Sequence, residues 1–139
     1  MSQKTFSIIK PDGVRQGDAG KILAKIEEAG FKILGLRMIQ MTKRHAQGFY
    51  AMHKERPFFD SLTEFMSSGP CIVLVLEKHN AIDDLRKLMG ATDPVNADEG
   101  TIRKEFASSV EANVIHGSDS PESASLEIPY FFTSLQIQS

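Results

Sequence analysis

Cys71-Ile72-Val73-Leu74-Val75-Leu76 is an unbroken apolar run in which both alternate sets of side chains are hydrophobic. A strand with one wet face alternates apolar and polar residues, whereas a strand covered on both faces does not, so this run predicts a central strand with a layer packed on either side. Cys71, the only cysteine, reads as a small buried hydrophobe inside that strand rather than a reactive thiol.

Toward the amino terminus, Thr5-Phe6-Ser7-Ile8-Ile9 alternates as a strand and ends at Lys10-Pro11-Asp12-Gly13, where proline and glycine enforce a turn and leave Lys10 at the strand end. A helix is predicted over 19–29, with Asp18 as N-cap, Ile22, Leu23, Ile26 and Ala29 on one face and Gly30 beyond its end. Residues 31–41 read as the second strand. Thr42 can cap a helix through about Lys54, and Pro57 permits a second start. There Phe58, Phe59, Leu62, Phe65 and Met66 fall at helical spacing before Gly69, so the pair reads as a helical hairpin.

Toward the carboxyl terminus, Asn80 is placed to cap a helix whose Ile82, Leu85, Leu88 and Met89 are periodic. Residues 90–100 are rich in Asp, Gly, Asn and Pro, a loop long enough that function or an interface is its expected use. A short helix is predicted over 101–106 and a brief strand at Asn113-Val114-Ile115. Ser120-Pro121-Glu122 opens a last helix with a cap, a proline at its first position and an acid near its dipole; that helix carries Glu127. Strands and helices alternate without the repeated βαβ rhythm of a doubly wound sheet. An α/β sandwich of about four strands, one domain over residues 1–139, is the fold expected.

Hydrophobic residues at 41% and charged residues at 24% match a soluble globular chain and exclude collagen-like, fibrous and disordered classes. A net charge of −2 offers no global attraction to nucleic acid or anionic membrane, so an anionic ligand must be held by locally placed cations. No stretch has the length of a membrane span, and the amino terminus has neither a signal-like apolar region nor an Arg-rich amphipathic pattern. A reducing cytoplasm is the expected location.

Gly17-Asp18-Ala19-Gly20-Lys21-Ile22 falls short of a phosphate loop, because Arg15 stands where glycine is needed and Ile22 where the lysine must be followed by Ser or Thr. No G-x-G-x-x-G, H-E-x-x-H or C-x-x-C occurs, and His45, His53, His79 and His116 are scattered, which argues against zinc chemistry. What remains is Asn113-Val114-Ile115-His116-Gly117-Ser118-Asp119. Glycine leaves one side of His116 open, polar neighbours can orient its ring, and a neutral imidazole is a good nucleophile near neutral pH. On local chemistry alone, a hydrogen-bonded turn histidine is the commoner reading.

Across those seven residues the chain resembles the nucleoside diphosphate kinase family, and the likeness continues at Ile9-Lys10-Pro11-Asp12-Gly13-Val14, Arg56-Pro57-Phe58-Phe59, Gly100-Thr101-Ile102-Arg103 and Ser123-Ala124. The resemblance implies a ferredoxin-like βαββαβ fold with a four-stranded antiparallel sheet. It implies transfer of the γ-phosphoryl group of a nucleoside triphosphate to a nucleoside diphosphate, by a ping-pong route through phosphorylated His116 with low base specificity. It further implies that Glu127 and Ser118 orient the ring, that Tyr50 lies close to it, and that Lys10, Arg86, Arg103 and Thr92 serve the phosphates. Phe58 and Val110, with Leu62 nearby, match the residues about the base, and Lys10 and Asn113 those at the ribose hydroxyls. Phe59 is expected in the core. Mg²⁺ is implied as cofactor, held mainly by nucleotide phosphates and water rather than by protein ligands.

The family also implies a homotetramer or homohexamer. Lys104-Glu105 departs from a common small residue and aspartate, and the chain stops soon after Tyr130-Phe131-Phe132, as in bacterial members. Two other functions compete. A silent nucleotide-binding homologue would have lost the histidine or a phosphate-binding cation, and neither is lost. An RNA-binding module would carry glycine with interleaved aromatics, which is missing, so nucleic acid is not expected as a partner.

Overall fold

The central strand is where the sequence puts it. In the computed structural model, which describes residues 2–139, β3 (Cys71–His79) lies inside a four-stranded sheet. It pairs antiparallel with β1 (Ser2–Ile9) along the full length of that strand, Ser2 opposite His79 and Ile9 opposite Ile72. β2 (Lys32–Ile39) pairs with its other edge. The short β4 (Ile115–Gly117) pairs antiparallel with β1, which puts His116 opposite Ile8. The order β2-β3-β1-β4, with one helical crossover before β2 and another before β4, is the ferredoxin-like arrangement.

Period-two alternation along β3 sorts its side chains between two cores. Ile72, Leu74 and Leu76 pack with Ile22 and Ile26 of α2 (Ala19–Glu28) and with Leu85 and Met89 of α5 (Ala81–Met89). Cys71, Val73 and Val75 face the other way, toward Ala46 of α3 (Lys43–Phe49), Met66 of α4 (Phe59–Met66) and Phe132, which follows α7 (Pro121–Phe131). Helices α3 and α4 are the hairpin inserted between β2 and β3, with Phe59 half-buried against this second core. No helix among the described residues is long and apolar enough to cross a membrane.

Local details differ from the sequence expectation in instructive ways. Lys10-Pro11-Asp12-Gly13 does not simply turn: Pro11, whose missing N–H and fixed φ suit a first helical position, starts the short α1 (Pro11–Arg15). Thr42 caps α3 by accepting from the His45 amide, and the His45 ring accepts from the Thr42 amide in return. That helix ends at Phe49 rather than near Lys54, with a short 3₁₀ turn after it, and α4 begins at Phe59 rather than at Pro57. Asp18 and Asn80 do not cap with their side chains; Asn80 is left-handed, and the amide of Ile82 is taken by Gln3 of β1. Ser120 caps α7 as expected, while Thr101, read as the first residue of its helix, is instead the cap of α6 (Ile102–Phe106).

The last strand is displaced. Its pairing begins at Ile115, because Val114 takes φ = 62° and cannot continue a pleated strand. His116 therefore sits within a strand rather than on a turn.

Leu74 is fully buried in the first core, so Leu74→Ala should cost about 2–5 kcal/mol of unfolding free energy. Thr42→Ala removes only a cap and should cost about 1 kcal/mol. Urea titrations of both variants check this ordering, and a cap variant as damaging as the core variant would contradict it.

Candidate active site

His116 is held on every side but one. Its strand is fixed to β1, with Ser7 Oγ donating to the His116 carbonyl at 2.7 Å and the Ser118 amide donating to the Phe6 carbonyl at 3.0 Å. Phe49 presents its ring at 5.4 Å between centroids and 77° between planes, Phe6 lies at 6.1 Å and Tyr50 at 6.3 Å. These rings exclude water from the back of the imidazole.

The ring's orientation comes from α7. Glu127 Oε1 lies 3.0 Å from His116 Nε2, and Ser118 Oγ donates to the same oxygen at 2.8 Å. The Ser118 hydroxyl accepts from the Phe6 amide at 3.3 Å, so its own proton is free for Glu127. A carboxylate opposite Nε2 selects the tautomer that carries its proton there, which leaves the lone pair on Nδ1. Tyr50 is buried and its hydroxyl has no partner among the described residues; burial pushes its pKa well up, so it stays a neutral phenol.

In front of His116 opens a cleft of about 1180 Å³, bounded by α4, α5, the 90–101 loop and the segment before β4. Lys10, Arg86, Arg103, Thr92 and Asn113 reach it at the His116 end. Two of the cations are out of water, Lys10 and Arg103 each being 7% exposed. Lys10 Nζ donates to Asn113 Oδ1 at 2.7 Å, and Arg103 donates to the carbonyls of Ile115 at 2.7 Å and Gly90 at 3.1 Å. Every one of these acceptors is neutral. Burial, reinforced by Arg103, lowers Lys10 to about 8 against the weaker pull of Asp12 and Glu111. Burial and Arg86 lower Arg103 to about 10, still charged at neutral pH. Buried charge without a counter-ion is costly, and an incoming anion relieves that cost.

Part of the cleft's lining is apolar. Phe58 is 48% exposed and Val110 54% exposed, an uncommon exposure for such side chains, and Leu62 lines the cleft with them. Thr92 is tied in through its carbonyl, which accepts from Asn113 Nδ2 at 3.2 Å. Nine of the residues singled out from sequence thus line one cleft, and Tyr50, Ser118 and Glu127 stand behind His116.

The sequence did not single out Phe49, Phe6, Asp12, His53 or Glu111. His53 packs against Phe58 at 5.8 Å between centroids, and Glu111 accepts from Ser61 Oγ at 2.6 Å across the mouth. Asp12 stands inside the quoted segment from Ile9 to Val14 without a role of its own, and Glu111 adjoins Val110; that proximity was the one available signal. Among the described residues, no group of three or more His, Cys, Asp or Glu side chains is arranged to hold a metal ion.

The profile of the nucleoside diphosphate kinase family matches residues 3–137. A nucleoside diphosphate kinase of Geotalea daltonii is 61% identical, covering 97% of this chain and 98% of that protein. One from Nitratidesulfovibrio vulgaris is 58% identical over 99% of both. Among solved structures, a crystal form of the Aquifex aeolicus nucleoside diphosphate kinase superposes with a TM-score of 0.97 at 44% identity, covering 99% of each chain. The Halobacterium salinarum enzyme in complex with CDP gives 0.96 at 37% identity, covering 100% of this chain and 93% of that one.

Lys10 makes the cleft's anion affinity pH-dependent. Its folded pKa near 8 lies below the ordinary 10.5, so the unfolded chain binds more protons between those values and burial of Lys10 is least costly at high pH. Anion binding runs the other way, since it needs the charged amine: pyrophosphate affinity should be full below about pH 8 and fall by up to about tenfold per pH unit above it. Calorimetry on wild type and Lys10→Met measures this. A wild-type affinity as flat with pH as the variant's would contradict it.

Proposed function

The chain belongs to the nucleoside diphosphate kinase family and is an enzyme of it, and from that premise we propose that it moves a γ-phosphoryl group from a nucleoside triphosphate to a nucleoside diphosphate through phosphorylated His116. The observation that carries this reading is the joint geometry of a ring held at Nε2 by Glu127 and buried cations whose partners are all neutral. The first supplies a nucleophile with a fixed lone pair; the second supplies the charge that phosphoryl transfer needs in place of a phosphate loop.

In the first half-reaction Nδ1 attacks the γ-phosphorus, the bond to the β–γ bridging oxygen breaks, and the nucleoside diphosphate leaves with that electron pair. The imidazole keeps its Nε2 proton, and Glu127 stabilises the positive ring that results. Arg103, Arg86 and Lys10 face the charge that develops on the transferred oxygens, and Thr92 offers a hydroxyl. In the second half-reaction a β-phosphate oxygen of another diphosphate attacks phosphohistidine, and the same groups act in reverse. Mg²⁺, carried mainly by the nucleotide phosphates and water, would supply charge neutralisation there.

Phe58 and Val110, both exposed in the lining of the cleft, suit a stacked base, and Lys10 and Asn113 suit the sugar hydroxyls. The halophilic relative's CDP supports a nucleotide as the occupant. A cytoplasmic homotetramer or homohexamer completes the proposal; Leu36 and Met38, exposed on the edge strand β2, suit an apolar contact between copies.

His116→Ala should abolish transfer and the acid-labile label left by γ-labelled ATP, and wild-type initial rates should give parallel double-reciprocal lines. Residual transfer at a comparable rate, or intersecting lines, would exclude the covalent route. Because stacking reads a π-face that every base has, ADP, GDP, CDP and UDP should be accepted with kcat/KM values within roughly a hundredfold, and acceptors lacking the 3′-hydroxyl should be far poorer. A preference for one base above about a thousandfold would remove the stacking account.

A further inference from the structure

Asp12 is 5% exposed, yet the reaction as written gives it nothing to do. Its Oδ2 accepts from the Val114 amide at 3.2 Å, and its Oδ1 has no partner among the described residues. Burial raises its pKa, while Lys10 and nearby backbone amides, including Val114, pull it down. A buried carboxylate is costly, so the amide that hydrogen-bonds to it from across the fold, that of Val114, should matter.

Val114 has φ = 62°, and the Ile115 amide donates to the Asn113 carbonyl at 2.8 Å. Together these describe a three-residue turn centred on a β-branched residue in the left-handed region, a rare and strained form. Strain of this kind persists only where surrounding bonds over-determine it. Here Asp12 grips the amide of Val114, and the Lys10 amide grips its carbonyl at 2.8 Å. The close approach is built in as well: a Cβ on Gly13 would lie 3.4 Å from the Val114 carbonyl oxygen and 3.1 Å from Ile9 Cγ2. The turn reverses the chain between Asn113, which meets Lys10, and Ile115-His116, which enter β4.

We propose that Asp12 is a positioning residue: its carboxylate holds the strained turn at Val114 and thereby sets the imidazole of His116. This rests on the reading of His116 as phosphoryl acceptor. Asp12 acts through the backbone and touches no reacting atom.

The ring is read first without substrate, by ¹⁵N NMR of histidine-labelled protein with His116 assigned from His116→Ala. Wild type and Asp12→Asn, which keeps an acceptor oxygen of the same reach, should share one pair of ring-nitrogen shifts. Asp12→Ala should shift or double them, and adding Val114→Gly to Asp12→Ala should bring them back, because glycine takes positive φ without strain. Should Asp12→Ala fail to fold by circular dichroism, Asp12→Ser, too short to reach the amide, takes its place. In single-turnover labelling with γ-labelled ATP, Asp12→Ala should be slower by about tenfold to a hundredfold, with the ADP dissociation constant changed less than about threefold. Unchanged shifts in Asp12→Ala, no return with Val114→Gly, or equal losses in labelling and ADP binding would each overturn the role. If wild type takes no label, the phosphoryl-acceptor reading fails, and the NMR series still decides what Asp12 does.

Discussion

From Thr5 to Ile9, strand β1 is buried between two neighbours, and its backbone groups there have no water to turn to. On one side β3 satisfies them along the whole strand. On the other side the burden falls on three residues of β4 and the Ser118 amide just after them. That requirement delivers His116 to its place: a strand needed to complete the ladder carries the proposed nucleophile on its middle residue. Lys10 follows from the same constraint, because it is the first residue past the end of β1 and so emerges beside the segment that β1 has recruited.

How far the sequence revealed this depends on the range of the forces involved. The run from Cys71 to Leu76 was legible because burial on both faces writes itself directly into composition. Caps at Thr42 and Ser120 were legible because donor and acceptor lie within one turn. Asn80 misled, since the amide it was expected to cap is served by Gln3, a partner 79 residues away. β4 was misplaced for a related reason: its register is set by pairing with β1 and by the left-handed Val114, neither of which leaves a local mark. Alternation in β1 was clear, but nothing local told that Ser7 would be fully buried with its hydroxyl on the His116 carbonyl.

The candidate site divides in the same way. His116, Lys10, Arg103 and their companions were assembled from a resemblance spread over the chain, and the fold brings those positions together. Taken singly, Arg86 and Arg103 read as ordinary helix-surface charges, and for Arg86, which stays exposed, that description still holds. Arg103 is different, being buried and spent on two carbonyls. The aromatic wall behind His116 had no signature, because Phe6 and Phe49 are indistinguishable in sequence from any other core residue.

Choosing neutral partners for buried cations has a consequence that links stability to chemistry. A carboxylate opposite Lys10 or Arg103 would stabilise the empty fold and would also cancel the field that an arriving phosphate needs. Carbonyl and amide oxygens orient the cations while leaving their charge uncancelled. Asp12 is turned to the Val114 amide, and the partial pull of Asp12 and Glu111 on Lys10 is outweighed by burial and Arg103. Glu127 sits against Nε2 of the imidazole, where in the proposed reaction its negative charge would aid the nucleophile instead of repelling the substrate. The placement of acids around this cleft is thus as selective as the placement of bases, and a sheet held together by β1 is rigid enough to keep them apart.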